Sequence, residues 1–161
     1  MIKQTSDNQD DKSIWSPPVA FYFQVEFHAD PKIPDMAFLE VSGLSMEMET
    51  ESLKEGGQND FTYQLPVRSK QGRLILKRSL NEMSNTLEQW IKNNLESGLS
   101  KGFTPLNVTV SLINQDGSPV AQWLCDNAYP VKWEISPFNA MKNELVIESL
   151  ELNYNILSRG K

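Results

Sequence analysis

The sequence predicts a mainly β protein, an antiparallel β-sandwich or barrel with one α-helix on its flank. Several short runs alternate apolar and polar residues with period two, which is typical of strands that bury one face. Turn-rich segments separate these runs, so neighbouring strands are expected to pair as hairpins. One run instead repeats its apolar residues every three or four positions, as an amphipathic helix does.

Length and composition limit the class of protein. The chain has 161 residues, of which 39% are hydrophobic and 22% charged, and its net charge is −6. This length suits one domain. No apolar run approaches the about 20 residues of a membrane span. The N-terminus lacks the apolar stretch of a secretory signal, so we expect cytoplasmic assembly without membrane insertion. The acidic balance argues against a groove that grips nucleic acid.

The sequence offers no recognisable catalytic, cofactor or metal site. Cys125 is the only cysteine, and it shares a strand face with Trp123, which favours a buried, inert thiol. His28 is the only histidine, so a histidine-rich metal site is excluded and a classical nucleophile–histidine pair would have to use it. We therefore expect a protein that is not an enzyme and binds no cofactor.

Residues 1–18 are expected to form a disordered or docking arm, because they have few apolar side chains, among them Ile14 and Trp15, which could dock on a surface. Residues 19–161 are then the β domain. Its first strand, Ala20–Phe27, places phenylalanine and valine side chains on one face and polar residues on the other.

The second predicted strand, Phe38–Glu51, changes phase at Gly43. Its apolar residues are odd-numbered before the glycine and even-numbered after it, which indicates a bulge or a sharp bend. Beyond the bend, one face carries Glu47, Glu49 and Glu51, which in an isolated domain would be a solvated face. A polar loop over Leu53–Asp60 follows, without the spacing of a phosphate-binding loop.

The middle of the chain predicts two further strands and the helix. The strands are Phe61–Val67 and Gly72–Arg78. The helix spans Ser79–Ser97, with Ser79 and Glu82 at the spacing of a capping box. Its apolar stripe is Leu80, Met83, Leu87, Trp90, Ile91 and Leu95, and Gly98 is placed to end it.

The C-terminal third predicts a hairpin and a long final strand. A turn at residues 115–119 should join strands Leu106–Asn114 and Val120–Ala128. A break is expected at Tyr129-Pro130, because proline cannot donate to a ladder. The last run, Leu145–Ile156, alternates throughout and would span about 40 Å at about 3.3 Å per residue. A strand that outruns its own domain suggests a sheet continued by neighbouring copies.

The closing segment, NAYPVKW followed by FNAMKNELVIESLELNY, resembles the phage-type tail tube protein family, the inner tubes of contractile phage tails and phage-derived injection systems. The resemblance runs from about residue 19 to residue 157. Further segments resemble the family in the same order: AFYFQVEF, AFLEVSGLSMEMET, EGGQND with YQLPVR, LILKR, and NVTVSLINQDGSPVAQW. The family often has glycine after the LKR sequence, where this chain has Ser79.

The resemblance implies a structural protein that forms homohexameric rings, whose strands join a shared barrel around a channel. The rings would stack into a tube that a sheath drives through a target envelope. The implied partners are other copies, the sheath, baseplate or spike and tube-terminating proteins, and a luminal cargo of effector protein or phage DNA. The particle would be a phage tail, or a cytoplasmic, membrane-anchored or extracellular injection device. The loop that would reach the adjacent ring comprises Glu51, Leu53, Lys54, Glu55, Gly56, Gly57, Gln58, Asn59 and Asp60.

Charged and polar strand residues are the candidates for faces between protomers or along the channel. They are Glu47, Glu49, Arg73, Lys77, Arg78, Glu151, Asn153 and Asn155. The sequence leaves open whether the glutamates face a channel or meet the basic residues of a neighbour. At −6 per copy, six copies would carry about −36, a field that repels anionic cargo from the wall.

Two alternative functions stay open. One is a specialised ring of the same class, either a tube initiator on the baseplate or the tube protein of type VI secretion. The other is a monomeric carbohydrate-binding sandwich, in which aromatic side chains would stack against sugars. Trp90, Trp123 and Trp133 are expected instead to fill the core or an interface.

Overall fold

The structure is a computed structural model, and it describes residues 21–53, 62–80, 84–96, 102, 104–137 and 145–160. Several sequence predictions fall outside this part of the chain: the arm over residues 1–18, the loop residues 54–60 and the helix end at Gly98. The predicted division into arm and β domain therefore stays a prediction.

The described residues form ten β-strands and one α-helix. In chain order they are β1 (Tyr22–His28), β2 (Met36–Phe38), β3 (Glu40–Ser42), β4 (Met46–Leu53), β5 (Tyr63–Gln71), β6 (Leu74–Ser79), α1 (Asn85–Glu96), β7 (Leu106–Ile113), β8 (Pro119–Ile135), β9 (Ile147–Asn153) and β10 (Ile156–Arg159). Every strand pair is antiparallel. The predicted fold class, mainly β with a flanking helix, is confirmed.

Eight of the strands form one sheet that closes on itself. The strand order is β2-β1-β7-β8-β9-β6-β3, and β10 pairs with β8. The two ends of this order are consecutive in the chain, because β2 pairs with β1 while β3 pairs with β6. The linking residue Leu39 donates its amide to Lys77 O at 2.9 Å. The segment Met36–Ser42 thus closes a barrel, which leaves few exposed edges in this sheet.

The barrel encloses the core. Alternate residues of the strands point inward, and the helix covers one side through its buried residues Leu87, Trp90 and Ile91. The Trp90 and Phe27 rings pack with centroids 5.8 Å apart. Burying a large apolar side chain contributes about 1.5–3 kcal/mol before entropy is counted. The core includes Val25, Phe27, Ile33, Phe38, Leu74, Leu76, Leu87, Ile91, Val108, Val110, Cys125, Leu150 and Leu152.

Strand β8 is the long strand of the molecule, and the break predicted at Tyr129-Pro130 is wrong. The strand has 17 residues and changes partners along its length, from β7 up to Ala128 to β9 from Tyr129 onward. Its register with β9 shifts between Pro130 and Lys132. Proline is tolerated in a strand at such a bulge, because no ladder donor is needed there.

The single strand predicted over Leu145–Ile156 is also wrong, because the structure divides this run into β9 and β10 at Tyr154 and Asn155. Both parts nevertheless pair with β8, through Asn153 opposite Tyr129 and Ile156 opposite Asp126. The alternation places Glu148, Leu150, Leu152 and Tyr154 on one buried face, whereas Ile156, which continues the same alternation, is exposed.

The helix begins later than the capping motif predicts. Ser79 is the last residue of β6, and α1 begins at Asn85. Ser84 is the cap: its Oγ accepts the Leu87 amide at 3.3 Å and its carbonyl accepts the Glu88 amide at 3.1 Å. A serine and glutamate at the right spacing therefore did not mark the helix start, because pairing of β6 with β9 extends through Ser79.

The bend predicted at Gly43 is confirmed, and it is where the chain leaves the barrel. Strand β3 belongs to the barrel, whereas β4 pairs only with β5 in a separate two-stranded sheet. Gly43 has a φ of 82°, which favours glycine, and an added Cβ would lie 1.7 Å from Arg73 O. The outgoing and returning backbones thus touch at this point, and we call β4 and β5 together the projecting hairpin.

Candidate assembly surface

The projecting hairpin is almost entirely exposed. Apart from Glu49 and Gln71, every residue of its two strands is accessible to solvent. A two-stranded hairpin is marginally stable by itself, and a cluster of exposed apolar side chains marks an interaction site. The large apolar side chains exposed on it are Met46, Met48, Leu53, Tyr63, Leu65 and Val67.

One face of the hairpin carries a ladder of opposite charges. Glu47 lies opposite Lys70 and Glu49 opposite Arg68 in the strand register. Arg68 Nε donates to Glu49 Oε2 at 2.5 Å, and this hydrogen bond lowers the pKa of the Glu49 carboxyl below its ordinary value. Two glutamates of the predicted face, Glu47 and Glu49, therefore have cations opposite them, whereas Glu51 lies opposite Leu65. The sequence analysis missed Arg68 and Lys70 because it ended the strand at Val67, although their alternation continues the period of two.

A polar concavity of about 690 Å³ lies between the base of the hairpin and the barrel. It brings together four of the predicted residues: Glu47, Glu49, Arg73 and Asn153. Arg68, Lys70, Tyr129 and Tyr154 also line it. Acidic and basic side chains alternate across this surface, so it offers polar contacts of both signs rather than a single-sign field.

The outer face of the barrel has a network of exposed ion pairs. Arg73 Nη1 donates to Glu151 Oε2 at 3.0 Å, and Lys132 Nζ lies 3.8 Å from Glu151 Oε1. Lys77 Nζ donates to Glu40 Oε1 at 2.8 Å. Exposed pairs of this kind add little stability. The predicted residues Arg73, Lys77 and Glu151 thus lie on the surface with partners in their own chain.

Arg78 does not fit its predicted place on an interface or a channel wall, because it is only 7% exposed. Its Nε donates to Glu148 Oε2 at 2.6 Å, and the second oxygen of Glu148 accepts Trp133 Nε1 at 2.8 Å. The guanidinium also lies over the Phe38 ring, 5.8 Å from its centroid. The side chain alternates with Lys77 along β6 and therefore points inward.

The last predicted surface residues lie near the end of β9 and at the tip of the hairpin. Asn155 is exposed at the bend between β9 and β10, and its backbone N–H donates to the backbone carbonyl of Asp126 at 3.0 Å. Asn153 is half-buried, and its Nδ2 donates to Tyr129 Oη at 3.4 Å. Glu51 and Leu53 are exposed at the end of β4, and the remaining loop residues 54–60 lie outside the described part.

The residues considered for chemistry are placed as structural groups. Cys125 is fully buried, and burial raises the pKa of its thiol to about 12, which fits the predicted inert thiol. His28 Nε2 lies 2.8 Å from Thr109 Oγ1 of the neighbouring strand β7, in an exposed pair. The described residues contain no group of three or more histidine, cysteine, aspartate or glutamate side chains that could hold a metal ion. Nor is any helix among these residues long and apolar enough to cross a bilayer.

The three described tryptophans, Trp90, Trp123 and Trp133, do not form an exposed platform for sugars. Trp90 is buried in the core and donates its Nε1 to Thr104 O at 2.8 Å. Trp123 and Trp133 are partly buried and pack against the same core. The carbohydrate-binding alternative therefore has no support from these side chains.

Comparison with known families gives a match over nearly the whole described chain. Residues 19–158 match the sequence profile of a family described as T4-like virus tail tube protein gp19. Among curated protein sequences, none matches the chain.

Solved structures agree in fold. A chain from the cryo-EM structure of the anti-feeding prophage baseplate, 6-fold symmetrised, is 29% identical with a TM-score of 0.73, over 89% of this chain and 95% of that chain. A chain from the PVC extracellular contractile injection system, in the extended sheath-tube complex, is 24% identical with a TM-score of 0.71, over 98% and 99% of the two chains. Hcp1 from Flavobacterium johnsoniae is 19% identical with a TM-score of 0.59, over 86% and 94%. The last two likenesses show the fold alone.

Proposed function

Because this chain belongs to the family of T4-like virus tail tube protein gp19, we propose that its copies form six-membered rings that stack into the inner tube of a contractile particle. The role is structural: the protein supplies a stiff wall and a bore. The observation that supports assembly most strongly is the projecting hairpin, where Met46, Met48, Leu53, Leu65 and Val67 are 47–58% exposed in the described part of the protomer. Neighbouring copies would cover these side chains and supply the stability that an isolated hairpin lacks.

Six copies per ring is a proposal that rests on the family and on the similar chain in a 6-fold symmetrised baseplate. The closed barrel would give each protomer a body that folds before it joins the ring. The hairpin would then extend the wall toward the next copy, since both of its outer edges are left without a strand partner in the described chain.

The partners and location follow from the same proposal. A contractile sheath is the first expected partner, because a similar chain lies in a sheath-tube complex. We also propose contacts with baseplate or spike proteins and with tube-terminating proteins, and passage of a cargo along the bore. The cargo would be an effector protein or phage DNA, and the particle a phage tail or an injection device.

The loop between β4 and β5 is proposed to contact the adjacent ring. Glu51 and Leu53 lead into it from the exposed end of β4. Its two adjacent glycines, Gly56 and Gly57, lie in the undescribed part of the loop. Replacing residues 54–60 with a linker of equal length should leave single rings intact and stop stacking, whereas unimpaired tubes in electron micrographs would remove this role from the loop.

The test of the proposed function is the assembly state of the purified protein. Negative-stain images of the concentrated protein should show rings and short tubes, and light scattering should show a mass of six copies or more. Rings that never stack, even on a baseplate, would indicate a tube initiator instead. Monomers alone at high concentration, with no growth on a baseplate, would contradict the proposal.

A further inference from the structure

Tyr154 lies in the barrel core, yet its hydroxyl reaches the two backbones that connect the barrel to the projecting hairpin. The side chain is 5% exposed and packs with the core residues. Its Oη donates to Gly43 O at 2.9 Å, or alternatively to Ser45 O at 3.1 Å, and it accepts the Ser45 amide at 3.3 Å. The Tyr154 hydroxyl thus acts both as a donor, to a backbone carbonyl, and as an acceptor, from a backbone amide, in the segment that leaves the barrel.

The returning backbone is tied to the same point. Gly72 donates its amide to Ser45 O at 2.9 Å. An added Cβ on Gly72 would lie 2.3 Å from Ser45 Oγ and 2.6 Å from Gly43 O, so the two backbones are in van der Waals contact. Fixing Gly43 and Ser45 therefore fixes Gly72 as well, and with it the direction in which both strands of the hairpin leave the barrel.

Within the described residues, few other contacts hold the hairpin in place. Strands β4 and β5 pair only with each other, and almost all of their residues are exposed. Rotation at Gly43 would meet little resistance from side chains, because glycine is permissive in backbone conformation. Burial around the phenol raises the pKa of Tyr154, so the hydroxyl stays protonated and able to donate at neutral pH.

We propose that the Tyr154 hydroxyl is a latch that sets the angle of the projecting hairpin against the barrel, and that ring assembly depends on it although Tyr154 is only 5% exposed. This inference rests on the proposed function. Two copies can meet along the hairpin only if each presents it in the same direction. The latch orders the hairpin in the free protomer, which lowers the entropy lost when copies join.

The experiment compares three variants with the wild-type protein. Tyr154→Phe removes only the hydroxyl. Tyr22→Phe is the matched control, because Tyr22 is exposed on β1, outside the joint. Val108→Ala is a control for lost stability, because Val108 is fully buried in β7, a barrel strand that pairs with neither strand of the hairpin. Hydrogen exchange is measured on protomers at low concentration, and the concentration at which rings appear is measured by light scattering.

In Tyr154→Phe we expect the Ser45 and Gly72 amides to exchange at least tenfold faster while amides of β7 and β8 keep their protection. The concentration needed for rings should rise about tenfold. Tyr22→Phe should behave as the wild type, and Val108→Ala should lose global stability with a smaller change in assembly. Equal ring formation by Tyr154→Phe and the wild type, or equal losses in Tyr154→Phe and Val108→Ala, would overturn the latch.

The wild-type protein provides a test that does not depend on any variant folding. Its Ser45 and Gly72 amides should exchange more slowly than amides at the hairpin tip, such as those of Ser52 and Gln64. Exchange at the same rate at base and tip would overturn the latch. A failure of the latch can be distinguished from a failure of the proposed tube. If no sample forms rings but protection of the Ser45 and Gly72 amides still depends on Tyr154, the role of Tyr154 in orienting the hairpin is supported and the proposed tube is contradicted.

Discussion

The barrel and the projecting hairpin differ in how much of their strands is buried and paired, although they are parts of one chain. In the barrel, the sheet closes through Met36–Ser42 and the strands bury one side chain in two. In the hairpin, the same alternation exists but neither face is buried. The barrel completes its own hydrogen bonds and core, whereas the hairpin has only its internal ladder. The contrast indicates that folding of the protomer depends on the barrel, and in the proposed assembly other copies would complete the hairpin.

The largest expected difference between the two regions concerns their ion pairs. Arg78→Met would leave the Glu148 carboxylate, which is 4% exposed, with Trp133 as its remaining partner. Breaking a buried pair in this way costs about 3–5 kcal/mol. The matched variant Arg68→Met, in the exposed hairpin pair, should leave the free energy of unfolding unchanged within error. Urea unfolding of both variants measures the difference.

The double variant that combines Arg78→Met with Glu148→Leu makes the same test sharper. Removing both charges should restore much of the stability lost by Arg78→Met, because no unpaired charge remains in the core. Equal, small losses for the two arginine variants would show that the barrel pair carries no more stability than the hairpin pair, and the contrast between the regions would fail.

A smaller effect is expected at the joint between the regions. Gly43 and Gly117 both have a φ of 82°, but an added Cβ would meet Arg73 O at 1.7 Å at the first and nothing within 4 Å at the second. Gly117→Ala should cost only the left-handed strain of about 1–2 kcal/mol. Gly43→Ala should cost more, because the two backbones must separate. Thermal unfolding of both variants decides this, and equal losses would mean that the close approach at the joint is not maintained in solution.

The smallest effect is the pH dependence of the hairpin ladder. The pKa of Glu49 is lowered by its hydrogen bond from Arg68, so the pair contributes at pH values above the ordinary glutamate pKa and is lost as pH falls through the lowered value. Carbon NMR titration should show the Glu49 midpoint below the ordinary glutamate value, and Arg68→Gln should raise it toward that value. A Glu49 midpoint at the ordinary value in the wild type would mean that the ladder does not persist in solution.

The strand pattern was readable from sequence wherever one face of a strand is buried. Alternation predicted β1, β7 and the β7–β8 hairpin, and the change of phase predicted the bend at Gly43. These features depend on local periodicity and on one glycine, and both are visible in the chain itself. The alternation of β9 also predicted the inward faces of Leu150 and Leu152, even though the run is divided.

The errors arose where a distant strand decides the outcome. Pro130 does not end β8, because the bulge opposite β9 accommodates it, and sequence does not show which residues lie opposite. Ser79 does not cap the helix, because β9 extends β6 through it. Arg78 and Lys77 are adjacent basic residues whose side chains point to opposite faces of β6. The buried partner of Arg78, Glu148, is 70 residues away in the sequence. The charged candidates of the hairpin could be found, but not the cations opposite them.

The most direct test of the contrast between barrel and hairpin is hydrogen exchange of the wild-type protein before and after assembly. The account predicts that amides of β4 and β5 on the outer edges of the hairpin exchange fast in the protomer and become protected in the rings. Amides of β1, β7 and β8 in the barrel should be equally protected in both states. A hairpin as protected in the protomer as the barrel is, or one that stays unprotected in assembled rings, would contradict it.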